Sequence, residues 1–355
     1  MHLRNGKPAW LTKLIGAALT ITGLSVGMAF AADIDAPTKA PKSVLDVPWF
    51  IVNDNRLTYA YAFTATEPGA ASRTAKQVFA FTHFDVWAYG TNFVELEMLK
   101  SDSRDPASPC LGTVGVPNAC AGTAEFYGLF RSTFGWNQIF DTKAFTIGPL
   151  SNISFVIGAD TEVENQFLAP NKKDIVAGLQ FAFDLPYKGY FNVSPVYYQE
   201  WNHNAFLMPG FMPAGFTGLP DGNTRFHPTW SVELNYYMDL GFLPESMQYF
   251  AVSGRASFRG SKGDGSYGGL TVPSSNNTRM EINSEPVRLT FDASKLLWGK
   301  KYSHFVDVWV AYLYWHNKFG LDDSNPAVGA CFFANGVNNK SCTEKSLYSG
   351  ISVKF

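Results

Sequence analysis

Charged residues make up only 16% of this 355-residue chain, and aromatic residues make up 15%. Soluble domains carry roughly a quarter charged residues, so an ordinary water-facing surface is not what this composition serves. A formal net charge of −2 supplies no basic face, which argues against a nucleic-acid partner. Beyond the first thirty residues there is no run of about 18 apolar residues, so no helix is read as crossing a membrane. Cysteine is scarce too. Cys110, Cys120, Cys331 and Cys342 show no zinc-like spacing with histidines, and neither a metal nor a cofactor is read from the chain.

The N-terminus has the pattern of an export signal. Arg4, Lys7 and Lys13 precede an apolar stretch from Leu14 to Phe30, and Ala29-Phe30-Ala31 offers the small residues of a cleavage site. Cleavage is placed after Ala31. The competing reading, a membrane anchor, suits this segment poorly because it is at the lower edge of a bilayer span. Removing three cations takes the formal charge from −2 to −5. An exported, charge-poor, aromatic-rich chain without a spanning helix has one way to satisfy its backbone in lipid, a closed β-barrel. In an oxidising compartment the cysteines read as two local disulfides, Cys110 with Cys120 and Cys331 with Cys342.

Period-2 alternation recurs in segments of about ten residues along the rest of the chain. It predicts twelve antiparallel strands, at 57–66, 74–82, 85–98, 123–135, 151–163, 173–184, 189–203, 228–240, 247–260, 279–293, 302–318 and 345–355. The fold class is therefore all-β, a transmembrane up-and-down barrel. Residues 1–31 are read as signal peptide, 32–55 as a periplasmic lead-in and 56–355 as barrel. One turn is placed at His83-Phe84, and a break or bulge is required at Pro286 because proline donates nothing to a ladder. Connections after even-numbered strands are mostly short, and those after odd-numbered strands are often long. That is the asymmetry between periplasmic turns and external loops.

A charge in mid-strand points to the lumen, because an Arg or Lys facing lipid costs about 2–4 kcal/mol at the bilayer centre. Each such charge fixes the parity of its strand. Arg131 brings in Tyr127; Glu200 brings in Tyr198; Glu233 brings in Tyr237. Arg255 and Gln180 face inward, Arg288 carries Asp292, and Asp307 carries Trp309 and Trp315. Asp85 takes Trp87 and Tyr89 inward on the same rule. Acids and arginines on facing walls can pair and brace the interior, whereas inward aromatics suit a solute with a flat π-face, where stacking on a base is worth about 1–3 kcal/mol.

Several short pieces, in order, resemble a known family. They are Asn53-Asp54, the run Phe84-Asp85-Val86-Trp87-Ala88-Tyr89, and Ile147-Gly148-Pro149-Leu150. Ala177-Gly178-Leu179-Gln180 with Asp184-Leu185-Pro186 follows, then Asn192-Val193 with Gln199 and Trp201. Tyr314-Trp315-His316-Asn317 and the ending Tyr348 to Phe355 complete the set. Together they resemble the nucleoside-specific channel-forming outer-membrane proteins, Tsx-like. The resemblance implies a twelve-stranded barrel passing nucleosides and deoxynucleosides by diffusion, with Asp85, Trp87, Tyr89 and Trp315 as channel lining. It further implies outer loops that receive phages and colicins. The cysteine-bearing stretches and the insert 206–220 depart from the family pattern. The terminal Phe355 strand resembles the signal read by the barrel-assembly machinery of a Gram-negative-type outer membrane.

Two other functions compete with a channel. A phospholipase-like barrel enzyme needs a histidine beside a nucleophilic serine, and none of His83, His203, His227, His304 and His316 lies in a recognisable serine motif. A plugged, adhesive barrel would use its disulfide-pinned loops to hold an external partner.

Overall fold

The computed structural model describes residues 50–68, 73–102, 122–165, 171–203, 223–262, 266–267, 270–271, 279–326, 331–333 and 335–355. The segment read as a signal peptide, most of the expected lead-in and the proposed Cys110–Cys120 pairing lie outside the described residues. Twelve long strands run in chain order: β1 (Val52–Ala65), β2 (Thr74–Trp87), β3 (Gly90–Ser101), β4 (Ala124–Gly135), β5 (Leu150–Glu164) and β6 (Asn171–Leu185). The second half is β7 (Gly189–His203), β8 (Thr229–Asp239), β9 (Phe250–Arg259), β10 (Glu281–Asp292), β11 (Val306–His316) and β12 (Thr343–Lys354). Every strand pairs antiparallel with its sequence neighbours, and β1 pairs with β12, from Arg56↔Lys354 to Ala62↔Tyr348. The ring is closed.

Closure leaves no unpaired edge, and alternation gives the wall two chemistries. On the outside Leu57, Tyr59, Tyr61 and Phe63 follow one another at every second position of β1, each more than a third exposed. Phe126 and Phe130 on β4, Val287 and Leu289 on β10, and Val308 and Val310 on β11 continue this belt. A contiguous apolar surface of that extent belongs against lipid. We expect Val310→Arg, an outward position midway along β11, to cost about 2–4 kcal/mol. Urea unfolding in lipid vesicles reads this loss; a loss under about 1 kcal/mol would place Val310 outside the hydrocarbon.

The register departs from regularity where the chemistry requires it. Pairing shifts between Ser284 and Val287 and between Ser253 and Arg255, so both ladders that flank Pro286 contain an irregularity beside it. The bulge expected from that proline is present. The connections keep most of the expected asymmetry: 88–89, 186–188 and 240–249 follow even strands, with 136–149 and 293–305 longer, while the segments following odd strands include 102–123 and 317–342. In the last of these Cys331 and Cys342 are bonded and fully buried, packed with Leu321 and Phe332.

One hairpin differs from the sequence reading. The chain does not turn at His83-Phe84 but stays extended to Trp87 and turns at Ala88-Tyr89, with Trp87 paired to Gly90. β1 also begins at Val52, five residues before the alternation suggested, and pairs there with Val86. The longer hairpin changes which residues reach the lumen.

A lumen with a solute-sized passage

The pairing carries side-chain parity from strand to strand. Lys76 sets it for β2, and the even positions Val78, Ala80, Thr82, Phe84 and Val86 follow it inward. Asp85, Trp87 and Tyr89 are thereby placed off the lumen wall, contrary to expectation. The reading failed there because Asp85 sits at the end of a strand, beyond the depth at which lipid forbids a charge. Asp85 instead accepts a hydrogen bond from Asn92 (2.9 Å), with the His83 ring 3.5 Å away. Trp87 packs edge-on against Phe134 and Tyr89.

The other twelve expected lumen residues do face inward, in three different settings. Tyr127, Arg131, Gln180, Glu233, Arg255 and Trp315 line a cavity of about 760 Å³. Arg288 and Trp309, together with Arg255, line a smaller side cavity of about 80 Å³. Tyr198, Glu200, Tyr237 and Asp292 are buried in polar networks instead. Tyr198 donates to Asp174 (3.1 Å) and to Glu200, Glu200 holds Lys262 at 2.6 Å, and Asp292 caps the helix Ala293–Trp298 by accepting from the Lys295 amide.

Ion pairs span the interior and shape the passage. Arg131 on β4 binds Asp160 on neighbouring β5 at 2.6 Å and Glu233 on β8 at 2.7 Å. Arg255 on β9 binds Glu95 on β3 at 2.5 Å. Those two strands are six apart in a ring of twelve, so this pair is a strut between opposite walls. It leaves the main cavity on one side and the side cavity, where the Arg288 guanidinium lies 4.0 Å from the Trp309 ring centroid, on the other. Buried pairs of this kind fix geometry more than they add stability.

The main cavity is lined from one rim to the other. Glu67, Lys76, Glu125, Lys318 and Glu344 line it at the long-loop end, and Val52, Val86, Thr91 and Thr133 at the short-turn end. Lys76 holds Glu67 and Glu125, and Lys318 holds Glu344 at 2.9 Å. Between the rims come the rings of Phe84, Phe93, Tyr190 and Tyr348 and the amides of Asn192, Asn235 and Asn283. Of these, the parity rule turns Asn235 inward along with Glu233; Phe84, Asn192 and Tyr348 stand only within the family-like pieces; and Phe93, Tyr190 and Asn283 are not singled out by the sequence. Lys76, Glu95 and Glu97 were nonetheless readable, because each is a strand charge to which the same parity rule applies.

A second polar assembly lies at the short-turn end beside β8. His304, in a left-handed backbone conformation (φ 59°), receives support from the Asp292 carboxylate, which accepts from its amide at 2.8 Å. Its Nδ1 lies 3.0 Å from Asp307, and its Nε2 lies 3.1 Å from the Tyr237 hydroxyl, which donates to Asp239. Asp307 also accepts from Arg56 at 2.7 Å. Asp292, His304 and Asp307 come close enough together to suggest a metal. The Asp292 oxygens, however, already accept from Lys295 and His304 amides and from the Ser294 and Ser303 hydroxyls. That donor set does not fit a cation.

The chain matches no known protein-family model and no curated protein. Among solved structures it is similar to Pseudomonas aeruginosa OprD, at 10% identity over 88% of this chain and 97% of that one, with a TM-score of 0.27. Acinetobacter baumannii OccAB1 is similar at 10% identity, over 87% and 99%, with a TM-score of 0.29. Pseudomonas aeruginosa OccK3 is similar at 8% identity, over 85% and 95%, with a TM-score of 0.24. Likeness at this level bears on neither solute nor partner.

Proposed function

We propose that this chain is an outer-membrane channel through which small polar aromatic solutes, nucleosides foremost, diffuse without energy input. The observation that carries the reading is the cavity lined from rim to rim inside a closed barrel whose outer wall is apolar. A nucleoside has a flat ring and a hydroxylated sugar. Along the cavity, Tyr127, Tyr190, Tyr348 and Trp315 supply faces for the first, and Gln180, Asn192 and Asn235 supply partners for the second. Contacts of this strength, repeated along a wall, let a solute enter and leave. The resemblance of the short sequence pieces to nucleoside channels supports the same reading. The outer loops are the surface at which phages or colicins would attach, and the Phe355 strand is the element that the assembly machinery would engage.

Liposome swelling tests it. Adenosine or thymidine should enter faster than a sugar of equal size; equal rates would remove the nucleoside preference and leave a general pore. The enzyme reading gains nothing from the histidines. His83 meets Asn55, His203 meets Asn223, and His316 meets Thr343, while Tyr237 and Asp307 flank His304. None of these partners is a serine.

A further inference from the structure

Carboxylates outnumber Lys and Arg by about two to one at the lumen-facing positions of the twelve strands. The cations among them are all engaged. Arg56, Lys76, Arg131, Lys172, Arg255, Arg259, Arg288 and Lys354 each have a carboxylate oxygen within 4.0 Å. The acids are not. Glu97 on β3 and Glu162 on β5 both line the main cavity, and among the described residues neither accepts a hydrogen bond nor forms an ion pair within that distance. The cations whose charge acts on Glu97 are Arg255 and Arg288, already held by Glu95 and Glu285. Around Glu162 they are Lys172, Lys318 and Lys76, held by Asp174, Glu344 and Glu125. Glu162 also comes within 4.8 Å of the Glu125 and Glu164 carboxylates, so its surroundings add negative charge.

Register places the two acids on one rung. Glu97 pairs with Tyr127, and Tyr127 pairs with Glu162. An aromatic ring thus lies between two carboxylates on the cavity wall, and the negative face of a ring attracts a cation as the carboxylates do. Inside a narrow tube with low-dielectric walls, unpaired charge of one sign focuses the field and raises the local concentration of the opposite sign.

We infer that the passage favours positively charged solutes, and that Glu97 and Glu162, flanking Tyr127, determine this preference. The inference rests on the channel reading above and narrows it, selecting aromatic solutes with a cationic group over anionic ones.

The full chain, refolded into planar bilayers under a KCl gradient, gives a reversal potential that reports the ratio of K⁺ to Cl⁻ permeability. We expect a ratio above about 3, in the manner of rings of acidic side chains in cation channels. Glu97→Gln with Glu162→Gln should lower that ratio at least about twofold, because removing the charge removes the field. In liposomes, tyramine should enter faster than 4-hydroxyphenylacetate, which has the same ring and the opposite charge. Openings with a ratio at or below one would overturn the inference while leaving the channel intact. Unchanged selectivity in the double variant would overturn the assignment to these two residues. Absence of any openings would overturn the channel reading itself. The wild-type ratio decides the sign of the preference even if the variant fails to fold.

Discussion

Replacing Arg131 with methionine should destabilise the barrel by about 3–5 kcal/mol, the range for breaking a buried ion pair from one side. The size follows from what is left behind. Arg131 is the shared partner of Asp160 and Glu233, and the three side chains are mostly shielded from water. Without the guanidinium, two carboxylates face each other across the lumen with their desolvation uncompensated. Replacing all three groups with neutral shapes removes that penalty. Arg131→Met combined with Asp160→Asn and Glu233→Gln should therefore recover most of the loss, and the same urea titration in vesicles measures both. A single variant as stable as the parent would mean that water reaches the pair freely and that the passage is wider there than the structure has it.

The second large effect is a dependence of stability on pH set by His304, in the turn between β10 and β11. Burial disfavours its imidazolium, but hydrogen bonds to Asp239 and Asp307 and the charges of Asp307 and Asp292 outweigh burial and raise its pKa to about 9. The unfolded value is about 6.5. A group raised in this way adds stability in full below the unfolded pKa, and the contribution fades as pH rises through the folded one. Between pH 6.5 and 9 the barrel should lose about 3 kcal/mol, because each tenfold difference in proton affinity between the folded and unfolded states is worth about 1.4 kcal/mol. Urea midpoints at pH 6, 7.5 and 9.5 trace the decline, and His304→Gln should flatten it. A flat parent profile would show that the imidazole stays neutral, with Tyr237 donating to it instead of to Asp239.

Much of this architecture is readable without coordinates because lipid imposes a single rule on every strand. Arg131, Glu233, Arg255 and Arg288 each sit deep enough that only the inward direction is tolerated, so one charge settles a dozen neighbours. The rule weakens toward the rims. Asp85 lies two residues from its turn, where either direction is open to it, and it therefore oriented Trp87 and Tyr89 wrongly; Lys76, a charge on the same strand facing the lumen, gives the correct sense. The cross-lumen pairs were illegible for a different reason. Glu95 and Arg255 are 160 residues apart, and nothing local records which strands will face each other. Ring size and stagger decide that, and both are properties of the closed sheet. The Tyr198–Glu200–Lys262 network was half visible: alternation turns the first two inward, but Lys262 belongs to a connection, where periodicity says nothing.

The strut between Glu95 and Arg255 also has a temporal meaning. Its two ends lie on strands six apart, which a flat or half-curled sheet would hold well out of reach of each other, so the contact has no counterpart until the sheet curls into a cylinder. An interaction absent from the rate-limiting state cannot hasten the approach to the native form. It can only slow departure from it. By that logic the strut sets the lifetime of the finished cylinder and leaves the speed of its making to the hairpins.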